Sequence, residues 1–158
     1  GSSSSVYENK DWQKTLIQYM ETWISNSIPI LGLCYGHQLI AHIFGTKVYN
    51  EGKKFVGFRR IKSLAEHKLN WPSSEGFVFA AHQEKLQDLP NGFNLCAHGD
   101  DNPIDAMVHQ DLPIWSWQAH IEATPIFCQN QGFTSISNHK IFAWGNQYLF
   151  KFLDYLKS

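Results

Sequence analysis

Apolar residues along this chain change their spacing several times, and each change marks an element. From Asp11 to Trp23 they recur at three- and four-residue steps: Trp12, Leu16, Ile17, Tyr19, Met20 and Trp23. That period predicts an amphipathic helix, entered through a turn around Glu8-Asn9-Lys10. Beyond Pro29, Ile30-Leu31-Gly32-Leu33-Cys34 is a short apolar run that reads as a strand buried on both faces, of the kind parallel sheets contain. Tyr35-Gly36-His37-Gln38 then leads into a helical stretch, Leu39 to Phe44, closed by Gly45. Short strands are expected at Lys47 to Asn50 and at Phe55 to Leu64, a loop at Asn70 to Gly76, and a strand at Phe77 to Ala81 ending on His82. Pro90-Asn91-Gly92 turns the chain into Phe93 to Ala97, and Ile104 to His109 and Ile114 to Gln118 follow as strands. Phe142, Leu149, Phe150, Phe152, Leu153 and Leu156 give the tail, Ile141 to Leu156, a helical pattern. Helices and strands alternate early and strands dominate the middle, so the order predicts an α/β domain with a mixed sheet.

Composition narrows the function. At 158 residues the chain has the length of one domain with a real core. Its 43% hydrophobic and 17% charged residues exclude disorder of the whole chain. Thirteen Lys+Arg against fourteen Asp+Glu give a formal net charge of -1, without the basic excess of a charge-driven nucleic-acid binder. No apolar run approaches the ~20 residues of a membrane-spanning helix, and no secretory pattern opens the chain. The cysteines Cys34, Cys96 and Cys128 are odd in number and far apart, with no C-x-x-C and no closely spaced Cys/His group. That argues against a disulfide framework and a structural zinc site, and makes a reducing, cytoplasmic setting the expectation. The opening Gly1-Ser2-Ser3-Ser4-Ser5 has, by composition alone, the character of a flexible linker.

Gly32-Leu33-Cys34-Tyr35-Gly36-His37-Gln38 is the most informative segment. A glycine two residues before and another two after Cys34 allow a sharp strand-to-helix turn that exposes the side chain, as in the nucleophile elbow of hydrolases. The following helix brings its N-terminal N–H groups and positive dipole end to the sulfur, which favours a thiolate and can hold an oxyanion. The competing reading is a buried cysteine between incidental glycines. A base is offered by Gln118-Ala119-His120-Ile121-Glu122, directly after an apolar strand. In extended chain, residues i and i+2 project to the same side, so Glu122 can hold one nitrogen of His120 and leave the other for Cys34. Alone, a His-x-Glu pair is also what a solvated loop carries.

Together these segments resemble the class I, triad-type glutamine amidotransferase family, in its GMP synthetase-like branch. Gly32 to Gln38 fits the family's G-x-C-x-G-x-Q elbow and Gln118 to Glu122 its Q-F-H-P-E segment. Gly1 to Tyr7 resembles its Gly-Gly-Pro-x-Ser loop. Phe79-Ala80-Ala81-His82-Gln83-Glu84, with Leu89-Pro90-Asn91-Gly92-Phe93, resembles the branch's H-G-D … L-P-x-G. The chain departs from the pattern at Ala119 and Ile121, at Gln83-Glu84 and at Ser2-Ser3. It also begins without the family's first strand and helix, so it reads as one N-terminally incomplete domain over residues 1–158.

The resemblance implies a three-layer, flavodoxin-like α/β architecture with a largely parallel, mixed central sheet flanked by helices. It implies hydrolysis of the glutamine side-chain amide through a thioester on Cys34, with His120 as base and acid and Glu122 as its orienter. The backbone N–H of Tyr35 and one from Ser2 would form the oxyanion hole. Gly1, Gln38, His82 and Gln83 would contact substrate. No metal or cofactor is expected, and no Gly-rich phosphate loop is present, so an ammonia acceptor such as a synthetase would sit on another chain. A γ-glutamyl peptide hydrolase and an inactive binding module are the alternatives. Cys96 and Cys128 read as packed side chains, Trp115 and Trp117 as core and pocket wall, and His37 as support for the elbow. Lys53, Lys54, Arg59 and Arg60 read as solvated surface.

Overall fold

The structure is a computed structural model and describes residues 1–134 and 139–158. Helix α1, Asp11–Ser25, starts where Lys10 N–H donates to the Gln13 side chain at 2.8 Å, with Asp11 in the first turn facing the positive end of the helix dipole. Strand β1, Ile30–Leu33, follows, and α2, Tyr35–Ile43, begins one residue after it ends. Gly45 stands just past the α2 C-cap at φ 85°, the left-handed conformation expected there.

Five strands and a short helix come next. β2, Val48–Ser63, is one long strand where the pattern predicts two short ones. Its pairing with β3, Ser74–Leu86, shifts register between Asn50 and Phe55, and this irregularity covers the polar gap that separates the two apolar runs. β3 is longer than Phe77–Ala81 at both ends. Backbone pairing to β2 carries it from Ser74 through the polar His82-Gln83-Glu84-Lys85, which lack the apolar alternation that marks a strand in sequence. β4, Phe93–Gly99, β5, Ala106–His109, and β6, Ile114–Trp117, lie close to expectation. Helix α3, Pro125–Asn130, is an addition to the predicted elements. Thr124 caps it by accepting from Phe127 N–H at 3.2 Å, and Pro125 occupies its first turn. The tail begins as a 3-10 turn, His139–Phe142, and continues as α4, Ala143–Tyr155.

The six strands form one mixed sheet in the order β1-β6-β5-β4-β2-β3. Only β1 and β6 run parallel, with Ile30 opposite Ile114 and Leu33 opposite Trp117. The other four neighbouring pairs are antiparallel. The sheet is therefore mixed but not largely parallel. The links β4 to β5 and β5 to β6 are too short for the crossover a parallel neighbour needs. The expected two-faced burial also belongs to a different strand. All four residues of β6 are buried, whereas three of the four in β1 are half-buried, because β1 pairs on one side only.

Alternation along β6 separates the two faces. Ile114 packs with Met20 of α1, Leu39 and Ile40 of α2, and Met107 of β5. Trp115 and Trp117 belong to a second core with Ile61, Trp71, Tyr148 and Phe152. Helices thus cover both faces. On the second face α4 is pinned by Tyr148, whose hydroxyl donates to Ser63 Oγ at 2.7 Å, and by Trp144, whose indole donates to Ser74 Oγ at 3.1 Å.

Candidate active site

The parallel pair β1–β6 determines where the reactive groups lie, because both strands end at the same edge of the sheet. Cys34 follows β1 directly. Its N–H continues the ladder, donating to Trp117 O at 2.8 Å, and then its backbone turns to φ 52°, ψ -102°. A non-glycine residue in that region stores strain, as a nucleophile elbow does. The turn forces close approach: a Cβ on Gly32 would lie 2.7 Å from Gly36 O and 2.5 Å from Ile40 Cδ1. The two glycines of the elbow are therefore not equivalent, since nothing lies within 4 Å of a Cβ on Gly36. As first residue of α2, Tyr35 has an N–H with no intrahelical acceptor, beside Cys34.

His120 lies just past β6. Its N–H donates to Phe79 O at 2.8 Å, bridging the chain to β3. Its Nδ1 is 2.8 Å from Glu122 Oε1, and both it and Cys34 line the same cavity, where Cys34 Sγ points at Ala81 O, 3.8 Å away. Since Nδ1 is held by the carboxylate, Nε2 is the nitrogen left for a reacting group. Burial works against the charged imidazole, but hydrogen bonds and charge from Cys34 and Glu122 outweigh it and raise His120 to about 9. The Phe127 ring, from α3, packs on the imidazole with centroids 4.6 Å apart.

A cavity of about 560 Å³ opens over these groups. Cys34, His120 and Glu122 line it, and so do Gly1, Ser2, Gln38, His82 and Gln83. Of the candidate site residues, Tyr35 alone turns its side chain elsewhere. Its hydroxyl accepts from Gln13 Nε2 at 2.9 Å, and the same Gln13 amide donates to Ser5 O at 2.7 Å. Gln13 thus ties the N-terminal loop to the elbow. A Cβ on Gly1 would meet His120 Cε1 at 3.4 Å and Cys34 Cβ at 4.0 Å, so that loop lies directly against the reactive pair.

The polar residues of the cavity differ in what they can offer. Gln38 Nε2 already donates to Glu84 O at 3.1 Å and to Gln118 Oε1 at 3.2 Å. Gln118, fully buried, directs its own amide at Cys34 Sγ, 3.8 Å away. Gln83 is exposed and donates to Asn50 Oδ1 at 3.0 Å. His82 is buried, and burial with the Arg59 charge beside it pushes it down to about 3.

Several residues behave as their local sequence suggested. His37 is buried with Nδ1 2.8 Å from Ser116 Oγ, and burial pushes it down to about 3. Burial also pushes Cys96 up to about 12 and Cys128 up to about 11, as in inert packed thiols. Trp115 and Trp117 are core residues and do not reach the cavity. Arg59 is not surface: it is 6% exposed, between His82 and Asp105, whereas Arg60 is exposed and paired with Glu75. Alternation explains this, because neighbouring residues of β2 face opposite sides of the sheet. Among the described residues, no group of three His, Cys, Asp or Glu side chains is placed to hold a metal ion, and no helix is long and apolar enough to cross a membrane.

A glutamine-hydrolyzing GMP synthase subunit of Thermococcus kodakarensis is 36% identical over 104 residues, covering 65% of this chain and 55% of that protein. The corresponding subunit of Pyrococcus furiosus is 35% identical over 122 residues, covering 77% and 63%. The chain thus spans about half the length of the first of these relatives. Two solved structures share its fold. A glutamine amidotransferase from Thermotoga maritima superposes with a TM-score of 0.84 at 19% identity, covering 100% of this chain and 76% of that one. A glutamine amido transferase from Methylobacillus flagellatus gives 0.84 at 18% identity, covering 99% and 74%. The sequence profile named Glutamine amidotransferase class-I matches residues 5–130, well over half of the chain, which therefore belongs to that family.

Proposed function

We propose that the chain hydrolyses the side-chain amide of glutamine, with Cys34 as nucleophile, His120 as proton carrier and Glu122 as orienter of the imidazole. One observation carries this reading: a cysteine in a strained elbow shares a cavity wall with a histidine whose Nδ1 lies 2.8 Å from a carboxylate, and both lie within 4.0 Å of a Cβ placed on Gly1. In the first step Sγ attacks the amide carbon, and the carbonyl oxygen becomes an oxyanion. The N–H of Tyr35 and one from the Gly1–Ser2 loop are the proposed donors to it; removing one such donor typically costs ~10²–10³ in kcat. Protonated His120 then gives its proton to the departing nitrogen, so ammonia leaves and a thioester remains. Its raised affinity for the proton keeps His120 charged at neutral pH for this step. In the second step His120 takes a proton from water, the hydroxide attacks the thioester, and glutamate and the thiolate are released.

The named relatives are subunits, which supports transfer of the ammonia to a synthetase on a separate chain. The cavity supports a second substrate class. Its volume of about 560 Å³ lies within the ~300–1,000 Å³ of pockets that take drug-sized ligands, which leaves room for a γ-glutamyl compound larger than glutamine. The test is steady-state release of glutamate from glutamine and from γ-glutamyl dipeptides, with Cys34→Ala as the control. Turnover of either substrate that vanishes in Cys34→Ala, with the melting curve retained, supports the mechanism. Turnover surviving in Cys34→Ala removes Cys34 from it. A folded wild-type protein that turns over neither substrate marks it as a binding module.

A further inference from the structure

The cavity wall contains a second imidazole, His82, and a buried ion pair behind it that the mechanism above does not use. Arg59 Nη1 lies 2.8 Å from His82 Nε2. A guanidinium can only donate, so Nε2 must accept and the ring proton must be on Nδ1. Nδ1 is 3.0 Å from Glu84 O, an acceptor, which gives the same tautomer. Arg59 in turn is fixed by Asp105, which is 0% exposed and also accepts from Asn102 Nδ2 at 2.9 Å. Asp101 stands 3.7 Å from the guanidinium on its more exposed side.

The pair is connected to the reactive cysteine by two routes. Glu84 O accepts from His82 and from Gln38 Nε2, and Gln38 continues to Gln118, whose amide faces Cys34 Sγ. Asp105 O accepts the backbone N–H of Gln118 at 2.7 Å. Asp105 thus holds Gln118 directly, whereas Arg59 is linked to Gln38 only through His82 and their shared acceptor, Glu84 O.

We propose that Arg59, anchored by Asp105, is a positioning residue that locks His82 as the neutral Nδ1–H tautomer, so that His82 faces the cavity as an uncharged wall. Protonation of His82 would turn an N–H of the ring against an N–H of Arg59 and place a second cation beside it. The titratable and charged groups around His82 are Arg59 on β2, Lys85 on its own strand, Asp101 from the 100–105 segment and His37 on α2, with Asp105 behind Arg59. Lys85 is itself paired with Glu51, so the charge facing Nε2 directly is that of Arg59. A cationic His82 would repel the ammonium group of a glutamine or γ-glutamyl substrate. This part rests on the function proposed above, whereas the tautomer does not.

The test is imidazole nitrogen NMR of the labelled protein, beside KM for glutamine at pH 5.5 and pH 8. In the wild type, His82 should show the Nδ1–H signature throughout that range. In the double variant Arg59→Met/Asp105→Asn, which removes both charges together, the His82 midpoint should rise from about 3 but stay below its ordinary 6.5, because burial, the larger cause of the shift, remains. KM should then rise about tenfold at pH 5.5 with little change at pH 8, the size expected of one uncompensated like charge near the substrate. Arg59→Lys keeps a cation and a donor and should restore the wild-type profile, which a purely structural role would not require. Wild-type His82 titrating near 6.5, or carrying its proton on Nε2, overturns the proposal even if the double variant fails to fold. A correct tautomer in a protein that turns over no substrate leaves the lock standing and refutes the function instead.

Discussion

Replacement of Gly32 by alanine tests whether the elbow is held by backbone contact. An added Cβ would stand 2.5 Å from Ile40 Cδ1, 2.7 Å from Gly36 O and 2.8 Å from Gly36 C. The isoleucine tip can rotate away. The Gly36 peptide cannot, because it belongs to the first turn of α2, so relief requires moving that turn away from β1. Overpacking of this kind costs ~1–3 kcal/mol, which for a chain of this size lowers Tm by roughly 2–4 °C per kcal/mol. The catalytic effect should be larger than the thermal one. Displacing α2 moves Cys34 and the Tyr35 N–H together relative to His120, which is held by β6 and β3, and a misplacement of ~1 Å can cost ~10²-fold in rate. Gly36→Ala is the matched control: it meets nothing within 4 Å and replaces glycine in a helix, worth roughly 0.5–1 kcal/mol in its favour. Thermal melting and glutaminase kcat on both variants decide the matter. A Gly32→Ala protein with wild-type Tm and kcat would refute the close-approach argument.

Two further changes probe the proton carrier and the α4 contact. Glu122→Gln should reduce kcat by about tenfold or more, a fraction of the ~10²–10⁴ that general acid–base catalysis supplies, with KM nearly unchanged. It removes a charge that raises His120, so the alkaline fall in kcat should begin at lower pH; kcat profiles of the two proteins check this. The sign for stability is the same: His120 is raised in the fold, so its contribution is full below 6.5 and lost as pH rises through about 9, and urea melts of Glu122→Gln should show less of that loss. Tyr148→Phe deletes the buried hydroxyl that donates to Ser63 Oγ at 2.7 Å. It should lower stability by ~1–2 kcal/mol without altering kcat, read by denaturant unfolding.

The candidate site was more legible in the sequence than the sheet was. The short motifs around Cys34 and His120 place chemistry on local geometry, a turn and an i, i+2 pair, and local geometry is what a sequence encodes most directly. Sheet order is not local. The apolar run of β1 suggested burial on both faces, but whether a strand is central depends on its neighbours, and here β6 holds that place. The polar end of β3 was illegible because backbone pairing, not apolar alternation, keeps His82 to Lys85 in the strand. Thr124-Pro125 carried a helix-start signal for α3, and that signal locates Phe127 against His120. Arg59 was the hardest. Beside Arg60 it resembles surface charge, and only the fold brings Asp105, 46 positions away, to meet it.

The two imidazoles of the cavity show how one environment assigns opposite roles to the same side chain. Both are buried, and burial disfavours the charged form of each. What separates them is the sign of the neighbour at the ring nitrogen. His120 has a carboxylate at Nδ1, and Cys34 and Glu122 together outweigh burial, so its charged form is stabilised and it sits at about 9. His82 has a guanidinium at Nε2 and a carbonyl at Nδ1, so its neutral form is favoured and it sits at about 3. Across the neutral range one is held charged and the other neutral, and no substrate is needed to set that difference. Divergence of this kind between like groups is how acid–base roles are assigned in a shared site. On the proposed reading, Arg59 acts on the cavity through His82, 2.8 Å from its guanidinium, from well outside the G-x-C-x-G-x-Q and His-x-Glu segments.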